Sequence, residues 1–459
     1  MEAKKEYMDL ASYAVDQAKK AGADAAEAYI SDSETVNITV SNKEAEQVNA
    51  VKDKGIGIRI LKDEKMVFGS SNNLARDTIK DLISDLMRKV TFHTQDEFNV
   101  IPGKNEDFLA KEWASYSDLI SYDQKIAQVA IEQKIKNAIR LETAGLEYSP
   151  KVTGALMIVY QDGTDYFYLA NSNGISGWYP TSGCGGGVYF SAAEGKDHQS
   201  GNYTKVVVNY DDFSPEEVGI KGAENAVRML GASPIESCEI PLVVSPDVGT
   251  QILSYIVGML SADRVQKGKS LFADKLETQV ASTLLNVIDD GKLKGGLNTS
   301  PVDGEGVPRQ TTALIMDGVL KNYLYDSYSA KKGKVKSTGN RSRGGYQSSG
   351  GIGSTNLYLK QGDVSPEEIM ATIKKGFYLK DAIGLHGGID STSGDFSFPC
   401  AGFLIENGQL TRPVRGISIG GNLFEFLKAV DQIGNDLTWF YSTGCPTFSI
   451  ASIKVGGVG

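Results

Sequence analysis

The most constraining stretch of this sequence is a run of period-two alternation directly after an amphipathic helix. Tyr7, Leu10, Ala11, Ala14, Val15 and Ala18 recur at helical spacing over residues 5–21, and Lys19-Lys20 then Gly22 form a C-terminal stop. Ala28 to Ser31, then Val36, Ile38 and Val40, then Ile56, Ile58 and Ile60 in Gly-Ile-Gly-Ile-Arg-Ile, then Met66 to Gly69 follow as strands bounded by polar turn residues. Ile79, Leu82, Ile83, Leu86 and Val90 restore a helical stripe. A helix, an antiparallel sheet and a second helix cannot be a bundle or a coiled coil. They predict an α+β unit over residues 1–95 with helices on one sheet face.

Beyond it, residues 96–115 are polar, contain Pro102-Gly103 and read as a connection, and Ser117 to Arg140 reads as a long helix. Val152 to Tyr160, Tyr166 to Ala170, Gly187 to Ser191 and Lys205 to Tyr210 predict a meander, with turns at Asp162-Gly163, Asn173-Gly174 and the Gly183 to Gly187 cluster. Pro215-Glu216-Glu217 opens a helix to about Leu230, and Ser233-Pro234 is the expected boundary. The central region is thus 96–232, packed with the first unit. From 233 to 459 strand signals dominate, at Ile240 to Val244, Leu284 to Asp289, Ala313 to Met316, Leu357 to Leu359, Phe403 to Glu406 and Ile450 to Val455. Asp317-Gly318 and Asn407-Gly408 are turns, and Pro246 to Leu260 and Gly421 to Val430 are helices. A mostly β, barrel-like C-terminal domain is the expectation.

Composition narrows the function classes. Gly supplies 51 of 459 residues, about 11% against a usual ~7% and without a three-residue period, so the excess belongs to turns and close backbone approaches. The net charge of −10 argues against nucleic acid or an anionic membrane as a partner. The first residues hold no apolar targeting segment and no apolar run approaches a membrane span, so a cytoplasmic location is expected. Four separated cysteines, 184, 238, 400 and 445, indicate neither a disulfide framework nor a zinc ribbon.

Only three histidines are present, His93, His198 and His386, too far apart for a local zincin helix. Gly416-Ile-Ser418-Ile-Gly420 matches the nucleophile-elbow pattern, but no His follows Ser418. Lys267-Gly268-Lys269-Ser270 lacks the first glycine of a phosphate loop, because position 263 is Asp. From Ser327 to Gly362 there is no acid, while Lys331, Lys332, Lys334, Lys336, Arg341, Arg343 and Lys360 alternate with glycines. A mobile solvated loop is the expectation there, and an anion or nucleic-acid loop the alternative.

Taken in order, Asp303-Gly-Glu-Gly-Val-Pro308, Leu314 to Leu320, Ser337-Thr-Gly-Asn-Arg341, Gly394-Asp-Phe396, Ala401 to Gly408, Pro413-Val-Arg-Gly416, Gly421-Asn422 and Gly434-Asn-Asp436 resemble the TldD/PmbA family. Gly55 to Arg59 and Gly69 to Leu74 fit its first domain, so the resemblance spans nearly the whole chain. In that family the TldD branch is a zinc peptidase with H-E-x-x-x-H on a helix and a Cys ligand near the C-terminus. Counting back from Lys267 to Ser270 puts Leu253, Ser254 and Gly258 at the two His and the Glu. Leu and Gly bring no lone pair to a metal and Ser is a poor base. Cys445 is the one ligand-type residue near an expected position, and alone it makes no zinc site.

The resemblance therefore implies the TldE/PmbA branch, a non-catalytic subunit with no cofactor of its own. It would act beside a zinc-bearing TldD-like subunit, as a heterodimer, or pair as a homodimer, in a cytosolic protease that degrades or processes unfolded peptides. The Gly-rich turns carrying Asp303, Glu305, Asn340, Arg341, His386 and Asp390 are expected to line a peptide channel. Two alternatives stand: a peptidase active by itself through Cys445, His386 and carboxylates, and a nucleic-acid-linked regulator acting through the Lys331 to Arg343 stretch.

Overall fold

A computed structural model describes residues 2–103 and 113–458. Residues 104–112, within the connection expected over 96–115, lie outside the described residues. Helix α1 (Glu2–Lys20) leads into three antiparallel strands, β1 (Ala25–Ser41), β2 (Glu44–Lys62) and β3 (Lys65–Ser71), and then α2 (Arg76–Lys89). Asn42-Lys43 and Asp63-Glu64 make the two hairpin turns with positive φ at both residues, the backbone that matches strand twist. A short α3 (Lys125–Gln128) and α4 (Ile131–Glu147) precede β4 (Val152–Asn171), β5 (Ser176–Glu194), β6 (Asp197–Val207) and α5 (Pro215–Arg228).

All six strands belong to one sheet, in the order β3-β2-β1-β4-β5-β6, which curls into a half-barrel. Even-numbered residues of β1 and β4 face the helices. Ile30, Ile56, Ile58 and Ile60 pack under α1 and α2, while Ile38, Tyr160, Val188 and Phe190 pack under α4 and α5. The opposite face holds the odd-numbered residues.

Three local expectations change. The helix expected over Ser117 to Arg140 begins at Ile131, because the preceding segment pairs with β5 instead: Ser182 N donates to Ser121 O and Asp123 N to Ser182 Oγ. Asp162-Gly163 is no turn but the middle of β4, where Asp162 is buried against Lys134 of α4 at 2.8 Å. The Gly183 to Gly187 cluster likewise runs inside β5, sandwiched between β4 and β6.

The C-terminal part contains β7 (Cys238–Val244), α6 (Pro246–Met259), α7 (Ala262–Gln266), β8 (Val287–Asp290), β9 (Thr311–Met316), β10 (Val319–Leu320) and α8 (Ser327–Gly333). There follow β11 (Arg341–Ser342), β12 (Gly351–Ile352), β13 (Leu357–Leu359), α9 (Pro366–Ala371), β14 (Lys375–Ala382), α10 (Leu385–Gly388), β15 (Asp395–Glu406) and β16 (Gln409–Asn422). Helix α11 (Leu423–Lys428), β17 (Val430–Ile433), β18 (Thr438–Phe440), β19 (Thr443–Cys445) and β20 (Phe448–Gly456) complete it.

The expected barrel is present. Strands run β16-β15-β14-β7-β20, and β16 pairs again with β20, closing five strands on themselves. Closure removes free edges from those strands. A second sheet, β10-β9-β8-β13-β19-β18, lies beside it. Helix α6 contacts β14 of the barrel and β13, β18 and β19 of the second sheet, its Val248, Ile252, Leu253 and Ile256 sharing one core with both. Asp317-Gly318 and Asn407-Gly408 make the predicted turns with positive φ at each position. Gly416 to Gly420, by contrast, lies within β16, with a bulge of positive φ at Gly416 and paired strand from Ile417 to Gly420, so Ser418 stands on a strand and on no strand-to-helix elbow.

Candidate functional site

Helix α6 starts at Ser245, whose Oγ accepts from Val248 N, followed by Pro246 at the first helical position. Its apolar stripe is buried, and Ser254 and Gly258, one turn apart, are the positions it leaves exposed. Leu253 is 5% exposed and belongs to the core. Ser254 Oγ lies 3.2 Å from Thr443 Oγ1 of β19, and a Cβ on Gly258 would meet nothing within 4 Å. Cys445, two residues beyond Thr443, is buried beneath the helix, and a Cβ on Gly249 would stand 2.6 Å from its sulfur. Burial pushes the Cys445 thiol well up, and its Sγ donates to the Pro446 carbonyl at 3.4 Å.

This donor set does not fit zinc. A leucine in the core, a hydroxyl already bonded to a threonine, a glycine and a protonated buried thiol offer neither the ligands nor the base that a peptidase helix needs. Among the described residues no three His, Cys, Asp or Glu side chains gather as a metal site. His93 and His198 are exposed and far apart in the fold, one just past the short 3₁₀ turn that follows α2 and the other on β6 at the opposite edge of the sheet. The side chain of His386, on α10, lies outside the described residues.

Two cavities flank α6 and meet at Ser254. One, of about 580 Å³, is lined by Ser254, Gly258, Arg264, Asp326, Tyr328 and Arg341. The other, of about 400 Å³, is lined by Tyr203, Thr204, Gln251, Ser254, Tyr441 and Thr443.

The residues expected along the channel are brought together differently. Asp303 and Glu305 are buried rather than lining, at 2% and 1% exposure, and so is Asn340 at 1%. Asp303 accepts from Glu305 N, Val307 N and Arg341 N at 2.8–3.0 Å. Burial, then the neighbouring Glu305, raises its carboxyl above the usual range. Burial works against the Glu305 charge as well, but Arg59 and Arg341 outweigh it and hold that carboxyl below its usual value. Asn340 donates to Asp289 Oδ2 at 2.7 Å and to Gly353 O at 3.0 Å. Of this group Arg341 alone borders a cavity beside α6, paired with Asp326 Oδ2 at 2.5 Å. Asp390 sits exposed in the turn after α10, its carboxylate accepting from Thr392 N and Ser393 N. That turn touches α6 through Tyr255, whose hydroxyl donates to Ile389 O at 2.6 Å.

The expected solvated loop over residues 327–362 instead holds α8, β11, β12 and β13, with Lys331, Lys334, Lys336 and Lys360 exposed but both arginines paired with carboxylates. Arg343 is 1% exposed, paired with Glu27 of β1 and seated 4.7 Å over the Tyr29 ring. Arg59 of β2 bridges Glu27 and Glu305, each at 2.8 Å. Glu27 was not singled out from sequence, and Arg59 and Arg343 were read only as parts of a motif and of a basic stretch, though a signal for their pairing exists. Gly55, Gly57 and Arg59 share one face of β2, and a Cβ on either glycine would collide with Tyr346. Alternate glycines ending on an arginine mark a sheet face where another part of the chain must approach closely.

The scaffold is thus a half-barrel sheet fused to a closed barrel, with a buried ion cluster at their junction and a helix set between barrel and second sheet. Three family models match: PmbA/TldA metallopeptidase domain 1 over residues 26–89, the central domain over 124–230 and the C-terminal domain over 237–457. The chain belongs to the PmbA/TldD family. Metalloprotease PmbA of Escherichia coli O157:H7 is 25% identical over 435 residues, covering 95% of this chain and 92% of that protein. Metalloprotease MJ0996 of Methanocaldococcus jannaschii is 26% identical, covering 90% of each. Among solved structures, a Bacteroides thetaiotaomicron protein described as a candidate modulator of DNA gyrase superposes with a TM-score of 0.88 at 25% identity, covering 99% of each chain. TldE from Thermococcus kodakarensis has the same fold, with a TM-score of 0.85 at 19% identity over 98% of this chain and 100% of that one. Among the described residues no helix is long and apolar enough to cross a membrane.

Proposed function

We propose that this chain is a non-catalytic, TldE/PmbA-like subunit that works with a zinc-bearing TldD-like partner in the cytosol to degrade or process unfolded peptides. One feature supports the reading: at the positions where the family resemblance leads one to expect the metal-binding motif, α6 carries Leu253, Ser254 and Gly258, none of them a zinc ligand of that motif. The helix is capped and packed, and on this reading it serves as a wall and carries no metal. What it retains is space, since cavities lie on both sides of Ser254. A subunit of this kind contributes walls to a shared chamber and leaves hydrolysis to its partner. Arg341 and Arg343 of the basic stretch are committed to Asp326 and Glu27, which takes those two cations away from any phosphate.

The test is cleavage of an unstructured fluorogenic peptide by the purified chain with Zn²⁺, alone and mixed with a TldD-type protein carrying the motif. Cleavage in the mixture only, with no stoichiometric zinc retained by the isolated chain, is the expected result. Chelator-sensitive cleavage by the chain alone overturns it.

A further inference from the structure

A third cavity, of about 460 Å³, adjoins those beside α6, sharing Thr204 and Tyr441 with one of them. It lies on the helix-free face of the half-barrel. Cross-strand register sets its floor. Thr35, Gly163 and Gly183 stand side by side on β1, β4 and β5, flanked by Gln161 opposite Gly185 and by Asp165 opposite Thr181. Opposed residues of an antiparallel pair project to one face, so Gly163, Gly183 and Gly185 leave a bare strip in this floor between the side chains of Thr35, Gln161, Asp165 and Thr181.

The glycines are not equivalent. A Cβ on Gly185 would drive into the backbone of β6, and one on Gly163 would press on Thr35. These two serve the curl of the sheet. Gly183 has ordinary room, its nearest neighbour to an added Cβ being Val207 O at 3.5 Å, and its φ is not positive. Folding does not require glycine there, and what its absence of side chain preserves is the trough.

The trough also has a defined electrostatic character. Neither Lys nor Arg lines it. Asp162 at its edge is spoken for by Lys134. Asp165 has no hydrogen-bond donor and no cation beside its carboxylate among the described residues, and its carboxyl is raised by burial alone. A half-buried carboxylate without a partner is unfavourable unless a ligand completes it. The complement is a positively charged N–H donor on a slim chain.

We propose that the trough under Gly183 is a binding subsite in which Asp165 takes a cationic group of an extended peptide, either its α-ammonium or a Lys or Arg side chain. This rests on the reading of the chain as a peptide-handling subunit. It adds a selectivity that a featureless chamber lacks.

The test is fluorescence anisotropy of short, unstructured, C-terminally labelled peptides with the isolated full-length chain. One peptide has a free amino terminus and no Lys or Arg, a second is the same peptide acetylated, and a third is acetylated with one internal Lys. The first or the third is expected to bind, and which one does identifies the source of the charge. Its affinity is expected to fall about tenfold in Asp165→Asn, the loss typical of a charge-assisted hydrogen bond. Gly183→Leu is expected to abolish binding with an unchanged thermal midpoint. Equal binding of the acetylated Lys-free peptide overturns the subsite, and so does undiminished binding by Asp165→Asn. Absence of binding by all three peptides also overturns it, and peptide cleavage by the mixture with a TldD-type protein reports separately on the subunit reading.

Discussion

Asp165 titrates against the fold. Its carboxyl is raised to about 6 by burial, against roughly 3.9 in an unfolded chain. The native state therefore favours the protonated form. Stability is undiminished below about pH 4 and falls as pH rises through 6, where the folded chain is forced to hold a bare carboxylate. Asn at this position cannot ionise. Asp165→Asn is thus expected to unfold at the same temperature as the parent at pH 4 and about 2 °C higher at pH 8, equivalent to about 1 kcal/mol once solvent reaching the half-buried group is allowed for. Thermal unfolding by circular dichroism across that range checks it, and a gap independent of pH counts against an unpartnered charge. Nothing in the sequence separates Asp165 from Asp162, three residues away on the same strand. One faces Lys134 and the other an empty trough, and that distinction exists only once β4 is placed between β1 and β5.

Helix α5 lies so close on β6 that a Cβ at Gly201 would overlap the backbone of Ala226. Gly201→Ala must push the helix away, at a cost of about 1–3 kcal/mol. Gly183→Ala, with ordinary room around it, is expected to stay within about 0.5 kcal/mol of the parent. Urea unfolding of the two variants side by side checks the pair, and equal losses contradict the packing given for either glycine. Elements whose local signals agree with their surroundings were legible in sequence: α1 and α2 from apolar stripes, α5 from its Pro-Glu-Glu start, α6 from its helical pattern over Pro246 to Leu260, and the hairpins at Asp317 and Asn407 from turn chemistry. Legibility failed where a long-range partner overrode a local signal. Asp162-Gly163 has the composition of a turn, and Lys134 together with strands on both sides keeps it extended. Residues 117–130 have helical composition, and pairing with β5 claims part of them.

Across the whole molecule, the half-barrel and the C-terminal part are joined by charges as well as apolar contacts. Arg59 on β2 reaches Glu27 on β1 and Glu305 beyond β8, and Arg343 returns to Glu27. Burial opposes the Glu27 charge, and Arg343 and then Arg59 overcome it, so its carboxyl is held below the usual value. Arg59→Met leaves two buried carboxylates short of a partner and is expected to cost about 3–5 kcal/mol. Adding Glu305→Gln is expected to recover part of that loss, a coupling measurable by a denaturant double-mutant cycle. Additive losses contradict the bridge. Positions 253, 254 and 258 were reached by counting along one helix, whereas the trough was not legible, because residues 35, 163, 165, 183 and 441 approach one another only in three dimensions.

The closed barrel also governs when the chain can become itself during synthesis. Strand β7 opens the C-terminal part, yet one of its two barrel neighbours is β20, separated from it by more than two hundred residues. That same strand pairs with β16 to complete the ring. Until the ribosome has released residue 456, β7 and β16 remain half-paired and α6 lacks Cys445 and Phe448 against its inner side. The half-barrel, finished by residue 228, can order while translation continues. A growing chain therefore spends its last stage with a folded front and an open, edge-exposing rear, and any chaperone it needs must hold that rear.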